Sequence, residues 1–225
     1  MNFRIRKIGT LVTMALLFGC GSESVKETEE VPLGGMDFEK EALEKINLAL
    51  VQKPDWSGNW VEILGQFSGE DFQLVLTDSI NPREMPEKNP IHAGDPLYPY
   101  QFPHPEGNGT IDIYSYKIEA QESLDAPYLN PDSEVIWYRN DGMKERLLFI
   151  GPSGMFEEGM WLNANEFLVL GYFQEEEGFR PMVWLIQVDK HLLHLFKLGK
   201  ISKTYRPESY LDKKIKKVDL SVNGV

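Results

Sequence analysis

The segment covering residues 167–198 constrains the fold more than any other part of the sequence. Three apolar runs, 167–173, 182–188 and 192–198, follow one another with short polar connections between them. Each run has the length of a strand and is bounded by residues typical of turns. Sequential strands joined by short turns pair antiparallel. This half of the chain therefore predicts consecutive antiparallel strands.

Similar short runs occupy much of the preceding sequence. We expect further strands at residues 59–66, 72–77, 111–116, 135–138 and 146–150. Asn140-Asp141-Gly142 is a strong turn signal between the last two of these runs. The predicted fold class is mainly β, an antiparallel meander. The strands can form a curled sheet, a sandwich or a partial propeller-like arrangement. The last alternative rests on residues 159–198, which are similar to one propeller blade.

One helix is predicted before the strands, over residues 37–51. Phe38, Ala42, Ile46 and Ala49 recur at helical spacing. Lys53-Pro54 follows, and proline stops a helix because it lacks the backbone N–H. The sequence therefore predicts a single N-terminal helix followed by strands.

The first nineteen residues have the pattern of a secretory signal peptide. Arg4, Arg6 and Lys7 form a basic start, and residues 8–19 are uncharged and largely apolar. At about 1.5 Å per residue this run is too short as a helix for a hydrocarbon core of about 30 Å. Cys20, the single cysteine of the chain, follows directly.

Leu17, Gly19 and Cys20 give this segment its resemblance to a bacterial lipoprotein signal with its lipobox. Phe18 is bulkier than usual at its position. The resemblance implies cleavage before Cys20 and acylation of its sulfur, and Gly21 in place of Asp implies an outer-membrane destination. Several acyl chains give a stable anchor, whereas a single chain gives only a marginal one. We expect a protein anchored in the cell envelope, on the periplasmic or the surface face of the outer membrane.

Residues 20–36 are polar and predict a flexible tether, so that residues 37–225 form a single mostly-β domain. The acidic start of this tether resembles the surface-export tags of Bacteroidota lipoproteins. Asp78-Ser79-Ile80 is similar to the short O-glycosylation pattern of the same phylum, which makes Ser79 a possible glycan attachment site.

The charge of the chain excludes one class of partner. Removing residues 1–19 takes away three basic groups and no acidic ones from a chain of formal charge −12, which leaves −15. A strongly negative body repels phosphate, so no nucleic-acid partner is expected. The C-terminal stretch 190–225 is instead basic, with nine Lys and Arg against three Asp and Glu.

A long proline-rich stretch, residues 81–109, interrupts the strands. Long loops are often functional, and this one contains seven prolines. Alternate residues of an extended chain face one way. We expect an aromatic strip formed by Tyr98, Tyr100, Phe102 and His104, with Asp95 beside it. It suits the apolar faces of sugars or a proline-rich peptide, unless the rings only pin the loop to the core.

Catalytic patterns are mostly missing from the sequence. Neither a nucleophile motif nor a phosphate-binding glycine loop is present, and we expect no cofactor and no metal. Glu157-Glu158 and Glu175-Glu176-Glu177 each read as an exposed hairpin tip or a weak calcium site. The leading prediction is a non-catalytic envelope lipoprotein that binds a protein or a glycan. The alternative is an envelope hydrolase built on His92, Asp95 and His104.

Overall fold

The computed structural model describes residues 33–119, 128–207 and 209–215. The signal segment, Cys20, the tether up to residue 32 and the tail from residue 216 lie outside the described residues. None of the described helices is both long and apolar enough to cross a membrane.

Three helices are found in the described ranges. They are α1 (Leu33–Gln52), α2 (Pro54–Leu64) and α3 (Ser209–Ile215). Helix α1 confirms the predicted helix and begins four residues before Asp37, inside the stretch assigned to the tether. Its residues Ala42, Ile46 and Ala49 are fully buried, as their spacing predicts.

Helix α2 contradicts the strand predicted over residues 59–66 and the expectation of a single helix. Pro54 interrupts the helical hydrogen bonds but occupies the first turn of a new helix, where its missing N–H costs nothing. Trp56 and Trp60 lie one turn apart on the buried face of this helix, and both indole N–H groups donate to Glu157. The alternation of Trp60, Glu62 and Leu64 was too short a signal.

Twelve strands are described. They are β1 (Phe72–Ser79), β2 (Arg83–Pro86), β3 (Phe102–Pro103), β4 (Thr110–Asp112), β5 (Ile118–Glu119), β6 (Tyr128–Leu129), β7 (Ser133–Tyr138), β8 (Met143–Ile150), β9 (Gly154–Asn163), β10 (Glu166–Glu175), β11 (Gly178–Gln187) and β12 (Leu192–Leu198). The predicted runs at 72–77, 135–138, 146–150, 167–173, 182–188 and 192–198 are confirmed. The strand predicted over 111–116 ends at Asp112, where the Asp112 carboxylate accepts from the Tyr114 N–H and the chain turns.

The described strands form two antiparallel five-stranded sheets and a small ribbon. The first sheet has the order β1-β12-β11-β10-β9, so that its last four strands are a meander and β1 pairs with β12. The second sheet has the order β2-β8-β7-β4-β3, and β5 pairs with β6. The fold is mainly β and sandwich-like, which confirms the predicted class.

Side chains between the two sheets build the core. Phe102 of β3 contacts Phe167 of β10 at 5.5 Å between ring centroids, and Trp137 of β7 contacts Trp161 of β9 at 6.2 Å. Helix α1 packs on the first sheet, where Phe38 meets the ring of His194. Burial of apolar area in such a layered core is the main source of stability.

Candidate functional site

The proline-rich stretch, residues 81–109, is more structured than the sequence predicts. It contains the edge strands β2 and β3 and a turn of 3₁₀ helix over Tyr98–Tyr100. The amide side chains of Asn89 and Gln101 donate to one another at 3.0 and 3.2 Å, which fastens the two ends of the irregular part. The stretch is therefore fixed against the second sheet rather than hanging free.

Two members of the expected strip turn into the core. Phe102 packs against Tyr114 and Phe167. His104 is buried, stacks on Trp137 and meets the edge of Trp161. One ring nitrogen of His104 contacts the carbonyl oxygen of Ala164 at 2.8 Å, and the other accepts from the backbone N–H of Glu106 at 3.1 Å. These two side chains hold the stretch in place.

The other two rings, Tyr98 and Tyr100, and the neighbouring Asp95 take three different positions. The Tyr100 hydroxyl donates to the Lys214 carbonyl at 3.2 Å, which joins the stretch to α3. Asp95 is exposed, and its carboxylate accepts from the backbone N–H of His92 at 2.6 Å. Tyr98 keeps 48% of its surface exposed. The 3₁₀ turn breaks the alternation on which the strip depended, so the five residues do not share one face.

Tyr98 lies on the wall of an open groove of about 690 Å³ beside β3 and the β7–β8 turn. The groove combines an aromatic ring and prolines with amides and cations. Its lining residues are Lys88, Asn89, His92, Tyr98, Pro99, Gln101, Pro103, Gly109, Thr110, Tyr138, Arg139, Asn140 and Gly142. We refer to it below as the Tyr98 groove. Gly109 and Gly142, which line it, have positive φ angles that favour glycine.

The lining of this groove contains few charged side chains. Within the described part of the chain, Lys88 and Arg139 are its cationic lining residues, and no Asp or Glu lines it. Arg139 contacts the carboxylates of Glu145 and Asp141, which fixes its guanidinium over the Trp137 ring and raises its pKa. Burial and nearby carboxylates also raise the pKa of the Tyr138 hydroxyl, so it stays neutral.

The three residues of the hydrolase alternative are not brought together. His92 and Asp95 are exposed, whereas His104 lies in the core with both ring nitrogens occupied. Among the described residues, no hydrogen bond or ion pair joins His104 to His92 or Asp95, and Asp95 accepts from the backbone N–H of His92 rather than from its ring. A general base must reach its substrate through a free nitrogen, which His104 does not present.

The most unusual polar cluster lies at Glu157 and Glu158 of β9, and the sequence-based interpretation of both as an exposed tip or calcium site is wrong. Glu157 is fully buried and Glu158 is 3% exposed. The β9–β10 register shifts at this point, so that Glu157 has no opposing partner in β10. Such a bulge changes the direction of the side chains next to it.

Glu157 is held by aromatic donors. Its Oε2 accepts from the indole N–H groups of Trp56 at 2.9 Å and Trp60 at 3.3 Å, and its Oε1 accepts from the Tyr205 hydroxyl. Burial raises the pKa of Glu157 to about 7, although these hydrogen bonds act in the opposite direction.

Glu158 is held instead by cations. Its carboxylate contacts Lys53 Nζ at 3.1 Å, Lys214 Nζ, and the hydroxyl of Tyr210 at 2.7 Å. Despite the desolvation cost of burial, the two lysines and the Tyr210 hydroxyl lower its pKa. Neighbouring acids with separated pKa values are typical of catalytic pairs. Here both carboxylates are buried and saturated with protein donors, and they join α2 and α3 to β9.

A signal for this cluster exists in the sequence. Met155, Phe156 and Met160 surround the two glutamates, and such an apolar context is unusual for an exposed turn. Glu175-Glu176-Glu177 differs, because residues 176–177 form the exposed β10–β11 turn that the sequence predicts. Among the described residues, no cluster of His, Cys, Asp and Glu is arranged to hold a metal ion.

Ser79 ends β1 and is exposed. Its backbone N–H donates to the Asp78 carboxylate at 2.8 Å. The position is accessible, and glycosylation of Ser79 stays a prediction.

Comparison of the chain with protein-family models, with curated proteins and with solved structures gives no match in any of the three.

Proposed function

We propose that this chain is a non-catalytic binding protein of the cell envelope, anchored through a lipid on Cys20, which captures a protein or a glycan in the Tyr98 groove. One observation carries the binding role. Tyr98 is half exposed on the wall of an open groove, while its aromatic neighbours Phe102 and His104 are committed to the core. A large ring left accessible beside amide and cationic groups is typical of recognition surfaces.

The framework around Tyr98 supports the same role. The Asn89–Gln101 amide pair and the Tyr100 hydrogen bond to α3 fix the backbone on both sides of the ring. A preorganised wall loses little conformational entropy when a ligand binds, so more of the contact energy appears as affinity.

Photo-crosslinking in the native envelope tests the binding role. A photoreactive residue placed at position 98 is expected to form a covalent adduct with the partner when the full-length protein is illuminated in cells. The matched control carries the same residue at Phe173, an exposed aromatic position that does not line the groove. Equal adduct yields at the two positions would refute the binding role.

The anchor is tested independently of the groove. Mass spectrometry of the membrane-extracted protein is expected to find an acylated N-terminal Cys20, and Cys20→Ser is expected to move the protein into the soluble fraction. An unmodified Cys20, or a different N-terminus, would contradict the anchor and leave the groove hypothesis unaffected.

A further inference from the structure

The Tyr98 groove differs in charge from the protein that surrounds it. Asp and Glu outnumber Lys and Arg by 35 to 23 over the whole chain. Among the described residues that line the groove, two are Lys or Arg and none is Asp or Glu. An exposed cation without an acidic partner attracts the anionic group of a ligand at short range, even where the protein as a whole is negative.

The basic groups differ in how much of their charge a ligand can use. The guanidinium of Arg139 is engaged by Glu145 and Asp141, and by Glu84 at 3.5 Å. Lys88 and His92 are exposed, and no ion pair is found for either within the described ranges. Of the nearby acids, Glu87 contacts Lys144 Nζ at 3.0 Å and Asp141 contacts Arg139, so neither is paired with Lys88. Lys88 is therefore the principal cation left for a ligand.

The neutral groups indicate the rest of the ligand. Tyr98 presents a ring, and Pro99 and Pro103 add apolar surface beside it. The amides of Asn89 and Gln101 satisfy only part of their hydrogen-bonding capacity in their reciprocal pair. A ring for an apolar face and amides for hydroxyl groups together match a saccharide.

An extended peptide fits this groove less well. Strand β3, at the edge of the second sheet, is only two residues long and ends in Pro103. Proline has no backbone N–H, so this edge cannot supply the ladder of main-chain hydrogen bonds by which peptides add to a sheet.

We infer that the ligand of the Tyr98 groove is an acidic oligosaccharide, with carboxylate or sulfate groups opposite Lys88 and a sugar ring against Tyr98. The inference rests on the proposed binding function and specifies its ligand class.

Calorimetry with defined probes tests this inference. The probes are a short oligogalacturonate, its methyl-esterified neutral form, a heparin-derived oligosaccharide and oligoglutamate. The oligogalacturonate or the heparin fragment is expected to bind at least about tenfold more tightly than the neutral form, a difference that one well-placed ion pair can supply. Which of the two binds better separates carboxylate from sulfate recognition. The affinity is expected to fall with salt, since the Debye length shortens from about 10 Å at 0.1 M to about 3 Å at 1 M.

Two variants locate the binding, each with a matched control. Lys88→Glu is expected to lower the affinity for the acidic probe by about tenfold or more. The control is Lys203→Glu, at an exposed lysine outside the groove, which is expected to leave this affinity unchanged. Tyr98→Ala is expected to lower the affinity for acidic and for neutral sugars alike, whereas Phe173→Ala is expected to leave both affinities unchanged.

Three results would overturn the inference. Equal affinity for the neutral form would remove the role of charge, and equal affinity for oligoglutamate would make the ligand an acidic peptide. Failure of both acidic sugars to bind would exclude the ligand class. In each case the crosslinking yield at position 98 separately decides whether the groove binds a partner at all.

Discussion

Glu157 and Glu158 are neighbours in the chain, and both carboxylates reach the helices that cover the edge of the first sheet. Glu157 accepts from Trp56 at 2.9 Å, and Glu158 contacts Lys53 at 3.1 Å. Side chains of successive strand residues normally point to opposite faces, and the bulge at Glu157 removes that alternation. The pair therefore joins α2 and α3 to the sheet, Glu157 through neutral hydrogen-bond donors and Glu158 mainly through lysines.

The stability of the protein is expected to depend on the protonation of Glu157. Its pKa is raised from 4.5 to about 7 in the folded protein. The folded state therefore binds the proton more tightly, and this stabilising contribution is complete below about pH 4.5 and lost as the pH rises through about 7. Chemical denaturation at a series of pH values is expected to show that Glu157→Gln removes this decline. An unchanged pH dependence in the variant would contradict the assignment.

Glu158 is expected to behave in the opposite way. Its pKa is lowered, so its contribution is present above the unfolded-state pKa and is lost as the pH falls below it. Glu158→Gln leaves Lys53 and Lys214 without their carboxylate and is expected to cost about 3 kcal/mol of unfolding free energy at neutral pH. Urea denaturation measures this. The control is Glu176→Gln at the exposed β10–β11 turn, which is expected to change stability by less than about 0.5 kcal/mol.

Alanine substitutions at two glycines beside the β7–β8 hairpin distinguish the cost of backbone strain from the cost of steric overlap. Gly107 and Gly109 have φ angles of +77° and +83°, so an alanine at either position is strained. A Cβ at Gly107 meets open space, whereas a Cβ at Gly109 overlaps the Tyr138 carbonyl. Gly107→Ala is expected to cost about 1 kcal/mol and Gly109→Ala at least about 2 kcal/mol more, by thermal denaturation. Equal losses would show that β4 moves to accommodate the new methyl group.

The two histidines of the proline-rich stretch are expected to differ in their contribution to stability. His104→Ala removes a buried ring between Trp137 and Trp161 and leaves the Ala164 carbonyl without its contact, at a cost of about 2–4 kcal/mol. His92→Ala alters an exposed side chain and is expected to change the unfolding free energy by less than about 0.5 kcal/mol. Guanidinium denaturation compares the two, and a destabilised His92 variant would place that ring in a structural role.

Six of the twelve described strands follow from local pattern alone. Runs such as β10 and β12 are long, apolar and bounded by turns, so their periodicity reports which residues are buried without knowledge of their partners. The predicted helix was correct for the same reason. Helix α2 was missed because the alternation of Trp60, Glu62 and Leu64 also fits a helix that begins earlier, at Pro54.

The candidate site was predicted only in part. The sequence located the proline-rich stretch and Tyr98, since proline density and aromatic residues are visible in one dimension. It could not separate Tyr98 from Phe102 and His104, because the 3₁₀ turn at Tyr98–Tyr100 and the packing against Trp137 and Trp161 decide which rings face solvent.

By itself, the sequence determined the mainly-β class, the positions of half of the described strands and the overall negative charge, since each of these depends on composition or short-range periodicity. Only the tertiary structure decided that β1 pairs with β12 and that Glu157 and Glu158 are buried. It also decided that a groove forms in which no described lining residue is acidic. The physical reason is separation along the chain. Trp56 lies 101 positions from the carboxylate that it satisfies, and burying a charge is possible only where such distant donors converge.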